Sequence, residues 1–173
     1  MFDDFKELLS IFNAHGVKYL IVGGYAVSFH AQPRATKDID LLIQPDAANA
    51  KAVYAALAKF GAPLEGLTVE NFSDRGKFFR MGREPVMVDI LPEIDGIDFD
   101  RAWERRVPSV IDVESGLTAF FISAPDLVTA KLAAGRPQDI ADVAALREAA
   151  ESQPGAADRK QALSESKKNG GPK

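Results

Sequence analysis

The chain has 173 residues, of which 46% are hydrophobic and 27% charged, with a formal net charge of −4. This is the profile of a soluble domain with one substantial core, and it argues against a strongly basic nucleic-acid binder, although a local basic patch would still serve an RNA substrate. The absence of cysteine excludes disulfides and thiolate zinc sites and suits a reducing, cytoplasmic setting. The charged first ten residues do not read as a secretory signal, and no run of about 18 apolar residues suggests a membrane span.

In chain order, Phe2, Phe5, Leu8, Leu9 and Phe12 recur at helical spacing and predict an amphipathic helix over 2–15, ended by Gly16. Residues 19–22 form a short apolar run that breaks at Gly23-Gly24, as a buried strand entering a tight turn would. A short helix over 25–31 and a loop over 32–37 follow. Residues 38–43 alternate acid and apolar side chains and then run apolar, as a strand with one polar face does. An alanine-rich helix is predicted over 47–60, after Pro45-Asp46 and closed by Gly61. The stretch 66–76 reads as irregular. Strands at 77–81 and 85–91 form a hairpin around Gly82-Arg83-Glu84. A helix over 98–105 holds Trp103. Strands at 110–113 and 119–122 and helices at 125–134 and 137–150, each with proline near its start, complete a domain of residues 1–150. Residues 151–173 hold five Lys/Arg against three Asp/Glu, which leaves 16 basic against 22 acidic residues in the body. The polar composition of this tail predicts disorder.

The chemistry concentrates in three places. Asp38 and Asp40 lie two residues apart, so on a strand both carboxylates fall on one face. Paired carboxylates repel unless a cation sits between them, and a hard divalent ion such as Mg2+ suits oxygen donors; the plainer alternative is two solvated acids at a strand end. Asp89 interrupts the face that Met87 and Leu91 share, opposite Val86, Val88 and Ile90. A carboxylate buried there needs a partner, and an ion pair with an arginine competes with a metal for that role. Gly23-Gly24, between strand and helix, lets backbone N–H groups approach an anion closely, or is simply a tight turn. His30, Trp103 and the pairs Phe78-Phe79 and Phe120-Phe121 read as structural. Arg75, Lys77, Arg80 and Arg83 could form a basic strip along the hairpin, or be solvated. Asp139 and Asp142 suit a helix N-terminus, and Asp139 has candidate partners in Lys131 and Arg136.

Gly-Gly-Tyr-Ala-Val at 23–27, Arg-Ala-Thr-Lys-Asp-Ile-Asp-Leu-Leu-Ile at 34–43 and Val-Asp-Ile-Leu at 88–91 together resemble the minimal nucleotidyltransferases of the polymerase-beta superfamily. With residues 126–142, the pattern is most similar to the AbiEii-type group known from abortive-infection and toxin–antitoxin systems. The resemblance runs from about residue 19 to 146. It implies an α/β nucleotidyltransferase fold, a mixed twisted sheet flanked by helices with a short helical C-terminal part. It implies that Asp38 and Asp40 hold Mg2+ or Mn2+, that Asp89 completes the metal site and helps activate the attacking hydroxyl, and that Gly23 and Gly24 cradle a triphosphate. Lys131 matches a basic position near the phosphates, and Arg34, Thr36 and Lys37 flank them. The implied reaction moves a nucleoside monophosphate from a nucleoside triphosphate to an acceptor hydroxyl on tRNA, protein or a small molecule, in a toxin-like component restrained by an antitoxin partner. A degenerate domain that binds nucleotide or a partner without catalysis is the alternative. Many superfamily members carry Gly-Ser in the glycine turn, whereas this chain has Gly24 and then the bulky Tyr25.

Overall fold

The computed structural model describes residues 1–152, so the disorder expected of the tail lies outside the described residues. The helix α1 (Asp3–Ala14) completely buries Phe5, Leu8, Leu9 and Phe12 of the stripe that its spacing predicts, whereas Phe2 precedes the helix and is exposed. Each such buried side chain contributes roughly 1.5–3 kcal/mol of burial. Strand β1 (Tyr19–Val22) is buried at every position, which places it centrally in the sheet. Helix α2 starts at Gly23 rather than at residue 25 and runs to His30. Strand β2 (Asp38–Ile43) follows as expected, and α3 (Ala47–Phe60) is capped by Asp46, whose carboxylate accepts from the Asn49 backbone N–H at 2.7 Å. Buried Asn49 in turn donates to the carbonyls of Lys18 and Gln44 at 3.0 and 2.9 Å, pinning α3 to the outer ends of β1 and β2.

The stretch expected to be irregular contains a 3-10 turn, Val69–Phe72, with Phe72 buried. Strands β3 (Phe79–Arg83) and β4 (Val86–Leu91) form the predicted hairpin, but Arg83 pairs with Val86, so the turn is Glu84-Pro85 and Gly82 lies inside the strand. The remaining elements are α4 (Phe99–Glu104), β5 (Val107–Asp112), β6 (Leu117–Phe121), α5 (Ala124–Ala134) and α6 (Pro137–Ser152). β5 and β6 each begin before the expected positions, because the ladder continues into residues that are only half-buried.

The six strands run in the order β3-β4-β2-β1-β6-β5. β2 is parallel to β4 and β1 to β6, while the other pairs are antiparallel, so the sheet is mixed, as expected. α1 packs against α3 and β6; α2 packs on β1 and β2 and touches both α5 and α6. Of the aromatic residues expected in the core, Phe121 is buried and Trp103, Phe79 and Phe120 pack against the core, but Phe78 is 65% exposed because it precedes β3 and makes no sheet contact. Among the described residues, no helix is long and apolar enough to cross a membrane.

Candidate active site

The strand register assembles the acids. Across four neighbouring strands, Val22 stands opposite Asp40, Asp40 opposite Asp89, and Asp89 opposite Arg80. Asp38 lies two residues before Asp40 on the same strand and pairs in register with Met87. Paired residues on adjacent strands share a face, so Asp38, Asp40 and Asp89 project to the same side. They line a cavity of about 760 Å³ together with Gly23, Gly24, Arg34, Thr36, Arg80, Lys131 and Arg136.

Both glycines are dictated by close approach. Gly23 has φ +59°, and a Cβ there would overlap the Asp40 carboxylate. At Gly24 a Cβ would fall 2.7 Å from Thr36 Oγ1 and 3.1 Å from Arg34 Nη2. The chain thus brings the start of α2 directly against Asp40 and the Arg34–Thr36 loop, which only a bare backbone permits. Tyr25 does not crowd this site. It is absent from the cavity wall, and its ring packs edge-on against Phe5 at 5.7 Å.

The acids differ in their partners. Arg80 reaches both oxygens of Asp89, Nε to Oδ1 and Nη2 to Oδ2, each at 2.6 Å. This bidentate bond holds the guanidinium pKa well above its usual value. The side chains of Asp38 and Asp40 have no hydrogen-bond or ion-pair partner among the described residues. Burial, reinforced by the charges of Asp89 and Asp38, pushes the Asp40 carboxyl up from 3.8 to about 6; Lys131 and Arg80 offset only part of this.

The opposite wall comes from α5, α6 and the loop before β2. Buried Lys131 lies 2.8 Å from both Asp139 and Asp142. Arg34 donates to Asp142 at 2.7 Å and Arg136 to Asp139 at 2.7 Å. Burial alone would raise these two carboxyls, but Arg136 and Lys131 bonded to Asp139, and the close charge of Lys131 with a hydrogen bond from Gln138 at Asp142, hold both below the usual range. Asp139 therefore pairs with both of the partners considered for it. Asp142, Arg136, Gln138 and Arg80 were not read as site residues. Arg34 and Asp142 are 108 positions apart, so the sequence carries no local signal for their contact.

Lys37 is exposed and stands apart from the cavity wall, unlike the other expected phosphate contacts. His30 is structural, as read: its Nε2 bonds the Ile122 carbonyl at 2.6 Å. Three of the four residues of the basic strip have acidic partners, and Arg83 is exposed. Arg80 turns to Asp89, Arg75 lies 3.8 Å from Glu93, and Lys77 pairs with Asp74 at 3.2 Å.

The fit to a divalent cation is uneven. Asp38 and Asp40 offer hard oxygen donors whose mutual repulsion a cation would relieve. The expected three-carboxylate set is not ready-made, however: among the described residues no group of three or more His, Asp or Glu side chains is placed to hold a metal ion. Asp89 is in addition already neutralised, since Arg80 occupies both of its oxygens.

The chain belongs to the family described as "Nucleotidyltransferase of unknown function (DUF6036)", which it matches over residues 1–149. No curated protein matches the chain. Among solved structures it is similar to the antibiotic-resistance factor ANT(2'')-Ia, described in terms of substrate-regulated conformation dynamics. The identity is 16%, the TM-score is 0.54, and the match covers 93% of this chain and 92% of that one. That likeness supports the nucleotidyltransferase-like fold; at this identity it carries no substrate.

Proposed function

We propose that the protein transfers a nucleoside monophosphate from a nucleoside triphosphate to an acceptor hydroxyl. The observation that supports this reading most is the pair of unpartnered carboxylates, Asp38 and Asp40, facing a cleft whose opposite wall carries Arg34, Lys131 and Arg136. Acids without counter-ions on one side and cations on the other suit a ligand that is itself a cation bound to a polyanion. In the reaction, the acceptor oxygen forms a bond to the α-phosphorus. The bond from that phosphorus to the α–β bridging oxygen breaks, and pyrophosphate leaves. Asp38 and Asp40 would hold Mg2+ or Mn2+, with Asp89 completing the set once Arg80 turns aside. A bound cation would supply neutralisation of the charge that builds on the transferring phosphoryl oxygens. Gly23 and Gly24 admit the triphosphate close to the backbone, Thr36 and Arg34 flank it, and Lys131 faces it from α5. Asp89, freed from Arg80, would accept the proton of the attacking hydroxyl. Lys37 has no wall position and serves at most at the mouth of the cleft.

The acceptor is a tRNA end, a protein side chain or a small molecule. The AbiEii-like pattern suggests a toxin-like component with an antitoxin partner. Co-purification of a stable partner from the native host supports that extension, and isolation of the active protein alone opposes it.

One observation favours a second reading, a domain that binds nucleotide or a partner without chemistry: Asp89 is occupied by Arg80. α-Labelled triphosphates incubated with Mg2+ and with RNA, protein or small hydroxyl compounds separate the two. Transfer of label with release of pyrophosphate is expected. Nucleotide binding without transfer to any acceptor class supports the second reading, and neither binding nor transfer removes the first and leaves the second only as partner binding.

A further inference from the structure

We propose that Arg80 is a built-in counter-ion that occupies Asp89 until a triphosphate arrives, so that cation binding depends on nucleotide. This rests on the nucleotidyl-transfer reading of the cleft. In the free protein the guanidinium does for Asp89 what a metal ion would do. It neutralises a carboxylate whose side chain is only 8% exposed, through two 2.6 Å bonds. Arg80 itself is 51% exposed and lines the cavity, so it can swing without repacking the core. Its strand β3 is also an edge strand of the sheet, bonded on one side alone.

Charge explains the coupling. The three acids Asp38, Asp40 and Asp89 sum to −3, and Arg80 in place reduces this to −2, which weakens the pull on a divalent cation. A cation binding alone must either share the site with Arg80, a like charge a few ångströms away, or displace the guanidinium into water with its own carboxylate lost. A triphosphate removes this conflict. Its oxygens accept the same planar fork that Asp89 accepted, so Arg80 moves from carboxylate to phosphate and Asp89 is freed for the cation that the nucleotide brings. Arg80 is thus a positioning residue in the free state and a phosphate ligand in the loaded one. The strand register gathers the three acids and sets Arg80 opposite Asp89, so the exchange takes place within one row of the sheet.

The test is Mn2+ binding followed by electron paramagnetic resonance, with and without a non-hydrolysable ATP analogue, on the wild type, Arg80→Gln, Arg80→Lys and Arg80→Gln/Asp89→Asn. Without nucleotide, Arg80→Gln should bind Mn2+ about tenfold or more tighter than the wild type, the order expected for removing a close like charge. Arg80→Lys, which keeps the charge and loses the fork, should fall between them. Adding Asp89→Asn should cancel the gain. With the analogue, Arg80→Gln should bind several-fold more weakly than the wild type. A purely structural ion pair would also raise nucleotide-free affinity when broken, so the deciding readout is the analogue: if Arg80→Gln binds Mn2+ with the analogue as tightly as the wild type does, Arg80 does not pass to phosphate and the proposal is wrong. If Arg80→Gln and Arg80→Lys bind nucleotide-free Mn2+ no better than the wild type, including no binding by any of them, the proposal is wrong. If the wild type still binds Mn2+ with the analogue and Asp38→Ala/Asp40→Ala does not, only the Arg80 inference falls. No binding by the wild type with the analogue overturns both.

Discussion

The two walls of the cleft carry buried or half-buried aspartates in opposite states. On the sheet side, Asp38 and Asp40 lack partners, and Asp40 is pushed up to about 6. On the helix side, Asp139 and Asp142 are more deeply buried, yet their carboxyls are held below the usual range by Lys131, Arg136, Gln138 and Arg34. Burial is thus not what distinguishes them. Pairing is: Asp139 and Asp142 are neutralised within the fold, whereas Asp38 and Asp40 are not.

The largest expected effect is on the helix wall. Lys131→Met leaves Asp139 and Asp142 facing each other with Lys131's charge removed, and should lower stability to urea by about 3–5 kcal/mol. A loss below about 1 kcal/mol would mean that Arg34 and Arg136 suffice, and would weaken the contrast.

The sheet wall should respond with the opposite sign. Asp40 has a raised folded-state pKa, so its ionisation opposes folding. That penalty is absent below about pH 4, grows between about 4 and 6, and is complete above 6. Asp40→Asn should therefore stabilise the protein at pH 7 by up to about 3 kcal/mol, with the gain vanishing near pH 4. Asp139 and Asp142 work the other way: their contribution is present above the ordinary carboxylate range and is lost as pH falls through their depressed values. Urea titrations of the wild type and Asp40→Asn from pH 7 to 3 check both arms. Equal stability of the two proteins at pH 7 would show that Asp40 is not strained.

Gly23→Ala forces a left-handed φ on a side chain and drives its Cβ into the Asp40 carboxylate, so it should cost at least about 1–2 kcal/mol. Phe78→Ser, on the surface, should change stability by less than about 0.5 kcal/mol.

The helical and strand periods were legible because α1, β1 and β2 each bury one consistent set of residues, and local pattern alone decides that set. The hairpin turn was displaced because Gly82 looks like a turn residue while the ladder carries it inside β3. Of the nine residues expected at the site, all but Lys37 line one cleft, since the topology gathers β2, β4, the start of α2, the loop before β2 and α5 around it. The partners were not legible. Arg80 meets Asp89 only through the β3–β4 register, and Arg34 meets Asp142 only when α6 folds back onto α2. Such contacts follow from tertiary geometry and leave no periodic trace in the chain.

The central claim is that Asp38 and Asp40 are unpaired because they bind a cation that accompanies a nucleoside triphosphate. Isothermal titration of each triphosphate with Mg2+, on the wild type and on Asp38→Ala/Asp40→Ala, tests it most directly. The account predicts Mg2+-dependent binding in the wild type that the double variant loses. Equal binding by both proteins, or binding indifferent to Mg2+, would contradict it.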